Sequence, residues 1–177
     1  KNAIKVDANS RSSVENIFAI GDVTNRVQLT PVAIREGQAF ADTVYGSKPH
    51  TVDYSCIPSA VFSHPPIASV GLTEAQARSQ LGSVAVYESD FRPMKNVVAH
   101  RNERALYKMV CEGTTGRVVG IHMIGARVGE LIGEGQLIVN WEAYPEDVAN
   151  LVHAHPTQNE ALGEAHLALA GTPLHAL

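Results

Sequence analysis

The stretch ALYKMVCEGTTGRVVGIHMI, residues 105–124, decides the fold of the larger part of this chain. Its two apolar runs, Ala105–Cys111 and Val118–Ile124, are rich in residues that favour a pleated, half-buried surface and are predicted as strands. The segment between them, Glu112–Gly116, combines glycine with threonine and predicts a hairpin turn. Strands joined by a short turn pair antiparallel, so the stretch predicts an antiparallel sheet.

The sequence on both sides of this hairpin adds short strands and amphipathic helices. Further strands are predicted at Ile57–Phe62, Ile67–Val70 and Val84–Tyr87. Helices are predicted at Thr73–Arg78, closed by Gly82, at Arg127–Trp141, at Pro145–Val152, and at Glu160–Ala170, ended by Gly171. Residues 51–177 are therefore predicted as an α+β domain with an antiparallel sheet and packed helices. The glycines within 127–141 indicate close packing against another backbone.

Residues 1–50 have the pattern of the end of a nucleotide-binding α/β domain. Strands are predicted near Ile4–Val6 and at Ile17–Ile20, where an apolar run stops at Gly21-Asp22, as a buried parallel strand does beside a ligand. A helix is predicted to begin at Thr30-Pro31, with Thr30 as the N-cap, and to end at Gly46.

Charge and composition exclude several classes of function. The net charge is −4 over 177 residues, which gives no electrostatic reason to expect nucleic acid or an anionic membrane as a partner. No apolar run approaches the roughly 20 residues of a membrane span. The cysteines, Cys56 and Cys111, lie far apart and are predicted as free core thiols in a reducing, cytoplasmic compartment. The opening KNAIKVD lacks a Met and begins in mid-fold, which predicts an excised fragment.

The segment HPTQNE, residues 155–160, carries the chemistry that we expect. Histidine titrates near neutrality, and a carboxylate that holds one ring nitrogen fixes the tautomer, so His155 and Glu160 predict a general acid/base dyad. Five residues along a continuous helix lie on different faces. The dyad therefore requires a turn at Pro156, or a helix that begins between the two residues. The alternative is a loop histidine before a helix N-terminus.

Other candidate groups are interpreted as structural. His64 precedes Pro65-Pro66, a rigid turn that can include a cis bond, and has no carboxylate at useful spacing. His153 is predicted to face solvent or to be structural. The series Gly125, Gly129 and Gly133 lacks the spacing of a dinucleotide-binding loop and is interpreted as helix packing. The eight histidines are dispersed, so no metal site is predicted.

Several segments together resemble one family. They are 14–24, 28–33, 57–58, 61–66, 70–73 and 155–160. In this order they are similar to the FAD-dependent pyridine nucleotide–disulfide oxidoreductases, and the resemblance covers essentially the whole chain. It implies a homodimer that reduces a small disulfide with FAD and NADP or NAD, the nicotinamide site being outside this chain. It also implies a redox cysteine pair that this chain does not contain, so the chain alone is expected to be inactive and to bind FAD weakly.

The resemblance also implies roles for individual residues. His155, supplied to the other subunit's site and supported by Glu160, protonates the leaving thiolate. Asp22 binds the ribityl chain of FAD, and the helix end Thr30-Pro31-Val32 faces the pyrimidine edge of the flavin, where negative charge gathers on reduction. Met94 lines the disulfide substrate site. The alternatives are an ordinary Gly-Asp turn for Asp22 and an ordinary capped helix at Thr30.

Two branches of the family remain open for the substrate. Segments 91–94 and 20–33 are similar to glutathione reductases, which act on glutathione disulfide. Ala161, where those enzymes have a second glutamate, together with Gln38 and the tail 162–177, is more similar to dihydrolipoamide dehydrogenases, which act on lipoamide. The longer matched length favours the glutathione reductase branch. A third hypothesis, from a different class, is a non-catalytic dimerisation module.

Overall fold

The predicted hairpin lies at the centre of a five-stranded antiparallel sheet. In the computed structural model, which describes residues 2–169, its strands are Ala105–Glu112 (β4) and Val118–Ile124 (β5). The other strands are Ser59–Val61 (β1), Ile67–Gly71 (β2) and Val84–Phe91 (β3). The order is β1-β2-β5-β4-β3, with each neighbouring pair antiparallel. The α+β class predicted for this part of the chain is confirmed.

One face of the sheet is covered by a helix that packs through glycine. Helix α4, Val128–Asn140, buries Val128, Ile132 and Ile138 against the sheet. A Cβ atom placed on Gly135 would lie 3.2 Å from Cγ2 of Ile121, so the glycine allows a close approach between helix and strand. Gly133 on the same helix has open space where its side chain would be, so only some of the helix's glycines serve packing within the chain.

The remaining helices of this unit are short and largely follow the sequence. Helix α2, Glu74–Leu81, begins at Thr73, whose side chain forms a capping box with Gln76. Helix α3, Met94–Val98, was not predicted. Helices α5 and α6 span Pro145–Ala149 and Glu160–Leu169. The predicted end of α6 at Gly171 lies outside the described residues.

The division of the chain falls between Tyr54 and Ser55, and the first unit contains little regular structure. The strands predicted at Ile4–Val6 and Ile17–Ile20 are wrong: Phe18 makes one isolated bridge, to Arg11. A strand requires a neighbour for its backbone hydrogen bonds, and residues 2–54 provide no second strand. Ile17 and Ile20 are 49% and 37% exposed rather than buried.

One long helix is the main element of this first unit. Helix α1, Thr30–Val44, begins where it was predicted, but its N-cap is Leu29 and Thr30 is the first helical residue. Its buried positions are Val32, Glu36 and Ala39, which recur at the spacing of one helix face. None of the helices in residues 2–169 has the length and apolar character needed to cross a bilayer.

Candidate functional site

His155 and Glu160 meet across a turn that leads into α6. The Nδ1 atom of His155 lies 2.9 Å from Oε1 of Glu160. The helix begins at Glu160, so the residues between the two are not helical, and the His155–Pro156 peptide is cis. The second carboxylate oxygen of Glu160 accepts a hydrogen bond from the Thr157 amide at 2.8 Å, and the Thr157 hydroxyl donates to the Ala154 carbonyl at 2.7 Å. These bonds fix the geometry that the spacing alone left open.

The hydrogen bond determines which ring nitrogen can do chemistry. A carboxylate only accepts hydrogen bonds, so Nδ1 of His155 is the donor and Nε2 carries the lone pair of the neutral ring. The side chain of His155 is 57% exposed and that of Glu160 is 23% exposed. The imidazole is thus oriented from one side by a carboxylate and remains accessible. This arrangement can hold a proton at Nε2 and transfer it to a reacting group.

A cleft of about 1010 Å³ brings this pair together with a third predicted residue. His155, Glu160 and Met94 all line it. Met94 is the first residue of α3 and is 45% exposed. Three basic side chains that also line the cleft are Arg92, Lys95 and Arg127. Four acidic side chains line it as well: Glu88, Asp90, Glu160 and Glu164. The cleft therefore offers a thioether, charged groups of both signs and an oriented imidazole to a bound molecule.

The loop that carries His155 is held to the rest of the unit on both sides. Before it, Nε2 of His153 lies 3.1 Å from Oε1 of Glu134 on α4. After it, the Tyr107 hydroxyl of β4 donates to Oε1 of Gln158 at 3.3 Å. Burial raises the pKa of Tyr107, so this hydroxyl remains a donor at neutral pH. The side chain of His153 is only 10% exposed, so the prediction that it faces solvent is wrong and the structural alternative holds.

In the first unit, Asp22 lies in a turn that a buried carboxylate holds. Residues Gly21–Thr24 form a 3-10 turn in which Asp22 is exposed. The Gly21 amide donates to Oε2 of Glu36 at 2.6 Å, and Glu36 is 1% exposed. Gly21 has a φ of +69°, and a Cβ there would lie 3.2 Å from that of Ala33. The turn is thus fixed against α1 by both a hydrogen bond and a close contact.

Glu36 has two further partners, which compensate for its burial. The Tyr54 hydroxyl donates to its Oε1 at 2.6 Å, and the Arg26 guanidinium lies 3.2 Å from the same oxygen. Burial, and then the hydrogen bond to Glu36, raise the pKa of Tyr54 to about 12. A buried carboxylate is tolerated only when paired and hydrogen-bonded, and Glu36 satisfies both conditions. No sequence motif identified Glu36. An acid on the same helix face as the apolar Val32 and Ala39 does, however, indicate a carboxylate that is buried with a partner.

The N-terminus of α1 could contribute to a flavin site beside this turn. The N-cap residue Leu29 makes no side-chain capping bond at the end formed by Thr30, Pro31 and Val32, and its carbonyl accepts the Val32 amide at 3.0 Å. Val32 is buried, whereas Thr30 is exposed. These two features match part of what a flavin requires. The exposed Asp22 carboxylate can accept hydrogen bonds from hydroxyls, and the N-terminus of α1 presents its positive end to the ring.

His64, the other histidine considered as an acid/base candidate, is not part of the site formed by His155 and Glu160. His64 is exposed and its bond to Pro65 is cis, as the paired prolines had suggested. It is not among the residues that line the cleft with His155. Among the described residues, no group of three histidine, cysteine, aspartate or glutamate side chains could hold a metal ion.

The two cysteines differ in burial, and we expect them to differ in reactivity. Cys111 is fully buried in β4, and burial raises its pKa to about 12. Because the thiolate is the reactive form, we expect Cys111 to resist a disulfide reagent at neutral pH until the chain is unfolded. Cys56 is half-buried and should react first. Counting modified thiols by mass spectrometry tests this expectation, with Cys56→Ser as the control. Rapid labelling of Cys111 in the native Cys56→Ser variant would contradict it.

Comparison with known proteins gives a consistent result over both units. Residues 57–166 match the family model described as pyridine nucleotide-disulphide oxidoreductase, dimerisation domain. Residues 1–37 match the model described as pyridine nucleotide-disulphide oxidoreductase. The two matches together extend over most of the chain and include every predicted site residue.

Individual relatives are similar over nearly the whole chain. A glutathione reductase of Burkholderia cepacia is 49% identical over 158 residues, which are 89% of this chain and 35% of that protein. A trypanothione reductase of Trypanosoma congolense is 44% identical over 92% of this chain and 33% of that protein. A chloroplastic/mitochondrial glutathione reductase of Pisum sativum is 43% identical over 89% of this chain and 29% of that protein. The chain thus spans about a third of the length of these relatives.

Proposed function

Because the chain belongs to the pyridine nucleotide–disulphide oxidoreductases, we propose that the protein containing it is a flavoprotein that reduces a small disulfide, with glutathione disulfide as the favoured substrate. The observation that carries the proposal is the 2.9 Å contact between His155 and Glu160 at the edge of a large cleft. The relatives named as glutathione reductases support the choice of substrate. FAD, reduced by NADPH or NADH, supplies the electrons when it is bound.

The chemistry assigned to this chain is proton transfer during thiol–disulfide exchange. A cysteine thiolate from another part of the full-length protein attacks one sulfur of the substrate, the S–S bond breaks, and its electron pair leaves with the second sulfur. His155, protonated on both nitrogens, gives the Nε2 proton to this leaving thiolate. Glu160 keeps Nδ1 protonated throughout, so the ring alternates between its charged form and one neutral tautomer.

The cleft supports a charged substrate. Arg92, Lys95 and Arg127 line it beside Met94, and glutathione disulfide carries carboxylates that such cations can bind. One observation favours the lipoamide alternative: Ala161 lines the cleft, and an alanine offers it no second carboxylate. Comparing kcat/KM for glutathione disulfide with that for lipoamide decides between them. We expect glutathione disulfide to be the better substrate, and a preference for lipoamide would reassign the branch.

Two elements of the first unit are assigned to the flavin. Asp22 would accept hydrogen bonds from the ribityl hydroxyls, and the end of α1 at Thr30, Pro31 and Val32 would lie at the pyrimidine edge. Glu36 holds the turn that contains Asp22. We place residues 1–50 in the FAD-binding domain and 51–177 in the interface domain of the full-length protein. We also propose that the protein is cytoplasmic, the location predicted from its sequence.

The second unit is proposed to form a homodimer, and α4 offers a surface for it. Large apolar side chains near α4 are exposed: Leu137 by 48% and Trp141 by 72%. Gly133, one helical turn before Leu137, has open space beyond its Cα atom. An exposed apolar surface of this kind usually marks an interface. The comparison with a dimerisation domain supports the same assignment.

Gly133→Arg should therefore abolish the dimer while leaving the subunit folded. A Cβ atom at Gly133 meets no atom of the described residues within 4 Å, and the arginine would place a charge in the proposed interface. Sedimentation of the full-length protein at micromolar concentration should show a monomer for this variant and a dimer for the wild type. The matched control is Ser79→Arg, at an exposed position of helix α2, which should remain dimeric. A dimeric Gly133→Arg protein would remove α4 from the interface.

A further inference from the structure

We propose that the partly buried pair His153–Glu134 is a positioning pair for His155, and that the proton transfer assigned to that residue depends on it. The inference rests on the proposed function and concerns a different pair of side chains. Nε2 of His153 lies 3.1 Å from Oε1 of Glu134, and the two side chains are 10% and 24% exposed. Neither residue was selected from the sequence as part of the site.

The partial burial of this pair makes it a constraint on the loop. A carboxylate only accepts, so Nε2 of His153 donates the hydrogen bond. Removing either partner leaves the other polar group partly buried without this bond, which costs more than losing a fully exposed contact would. The pair also links segments that are 19 residues apart in sequence, since Glu134 lies in α4 and His153 in the loop after α5. The loop thus has one defined position on α4.

The imidazole of His153 also contacts the helix that begins with Glu160. A Cβ atom placed on Gly163 would lie 3.5 Å from Cε1 of His153, so the ring packs directly against the backbone of α6. His153 therefore touches α4 on one side and α6 on the other. Since His155 follows two residues later and Glu160 is the first residue of α6, a shift of this ring displaces both members of the dyad.

The two histidines of the loop have different roles in this proposal: His153 positions the loop and His155 transfers the proton. His153 is nearly buried, whereas the side chain of His155 is 57% exposed on the cleft. On the C-terminal side of His155, the Tyr107 hydroxyl donates to the Gln158 side chain at 3.3 Å. His155 accordingly lies between two fixed points. The contact of His153 with Glu134 is the shorter of the two, and it lies nearest in sequence to the reacting ring.

The test is His153→Leu in the full-length flavoprotein. Leucine fills the space but cannot donate to Glu134. We expect kcat with glutathione disulfide to fall about tenfold, with little change in KM, because misplacing a proton donor by a fraction of an ångström slows the reaction more than it weakens binding. His153→Gln retains an N–H donor and should recover part of the lost rate. An unchanged kcat in His153→Leu would overturn the proposal.

A double variant separates positioning of His155 from an independent effect on turnover. If His153 acts through His155, adding His153→Leu to His155→Gln should change kcat by no more than about twofold, because the two losses are not independent. If His153 affects turnover by a route independent of His155, the losses should multiply and the proposal is wrong. The control His122→Leu removes another partly buried ring, whose Nε2 lies 3.0 Å from the Leu72 carbonyl oxygen, away from the cleft-lining residues. It should lower stability without lowering kcat.

The same series distinguishes this inference from the function on which it rests. If His155→Gln alone has wild-type turnover, the acid/base assignment fails, whatever His153 does. If His155→Gln is slow but His153→Leu is not, the dyad stands and only the positioning role is lost.

Discussion

Replacement of His155 by glutamine in the full-length enzyme should lower disulfide turnover by about 100-fold or more, the usual loss for a general acid/base. Glutamine cannot carry the proton that the leaving thiolate requires. The contact of 2.9 Å between Nδ1 and Glu160 orients the imidazole but cannot replace it. Reduction of the flavin by the nicotinamide cofactor should be retained, because that step precedes the exchange with the disulfide.

The matched control for this variant is His64→Gln, which replaces an exposed histidine outside the cleft. It should leave turnover unchanged. Glu160→Gln should be intermediate, with a loss of about tenfold, because glutamate orients the ring and does not transfer the proton. Turnover of His155→Gln within a few fold of the wild type would refute the assignment, and His64 would become the rival candidate.

Glu36→Ala should have the largest effect on stability, lowering the free energy of unfolding of the first unit by about 3–5 kcal/mol. The carboxylate is 1% exposed and holds the Gly21 amide, the Tyr54 hydroxyl and the Arg26 guanidinium. Its removal leaves a partly buried cation and two hydrogen-bonding groups without this partner. Urea denaturation gives the free energy, and hydrogen exchange at the Gly21 amide reports the local loss.

A second acid on the same helix provides the control. Asp42 accepts an exposed hydrogen bond from Gln38 at 2.8 Å, so Asp42→Ala should cost well under about 1 kcal/mol. The pKa of Tyr54 should also move toward its ordinary value in Glu36→Ala, since the hydrogen bond to Glu36 is one of the causes that raise it. Equal losses for the two variants would show that Glu36 does not organise the turn.

Local chemistry made much of the second unit predictable. The turn residues of 112–116 and the apolar runs on either side identify β4 and β5 within one residue. Thr73 and Gln76 at capping-box spacing identify the start of α2. The turn and the capping box can be predicted because the donor and the acceptor of each hydrogen bond lie within a few residues of each other. No residue distant in the sequence is needed to form them.

The predictions that did not hold concern residues whose hydrogen-bonding partner lies far away in the sequence. Residues Ile17–Ile20 have the apolar pattern of a strand, but a strand is defined by the neighbour that accepts its hydrogen bonds, and apolar residues alone do not specify one. For His153 the sequence left two alternatives open, solvent-facing or structural, because Glu134 lies 19 residues before it on another element. His155 and Glu160 were identified as a pair because both lie in one short turn.

The most direct test of the central claim is rapid mixing of the pre-reduced, full-length enzyme with glutathione disulfide. The His155→Gln variant and the wild type should be reduced by the nicotinamide cofactor at similar rates. Reoxidation by the disulfide should be about 100-fold slower in the variant, because only that half-reaction requires the proton from His155. Reoxidation of the variant at the wild-type rate would contradict the assignment of His155 and Glu160 as the acid/base pair.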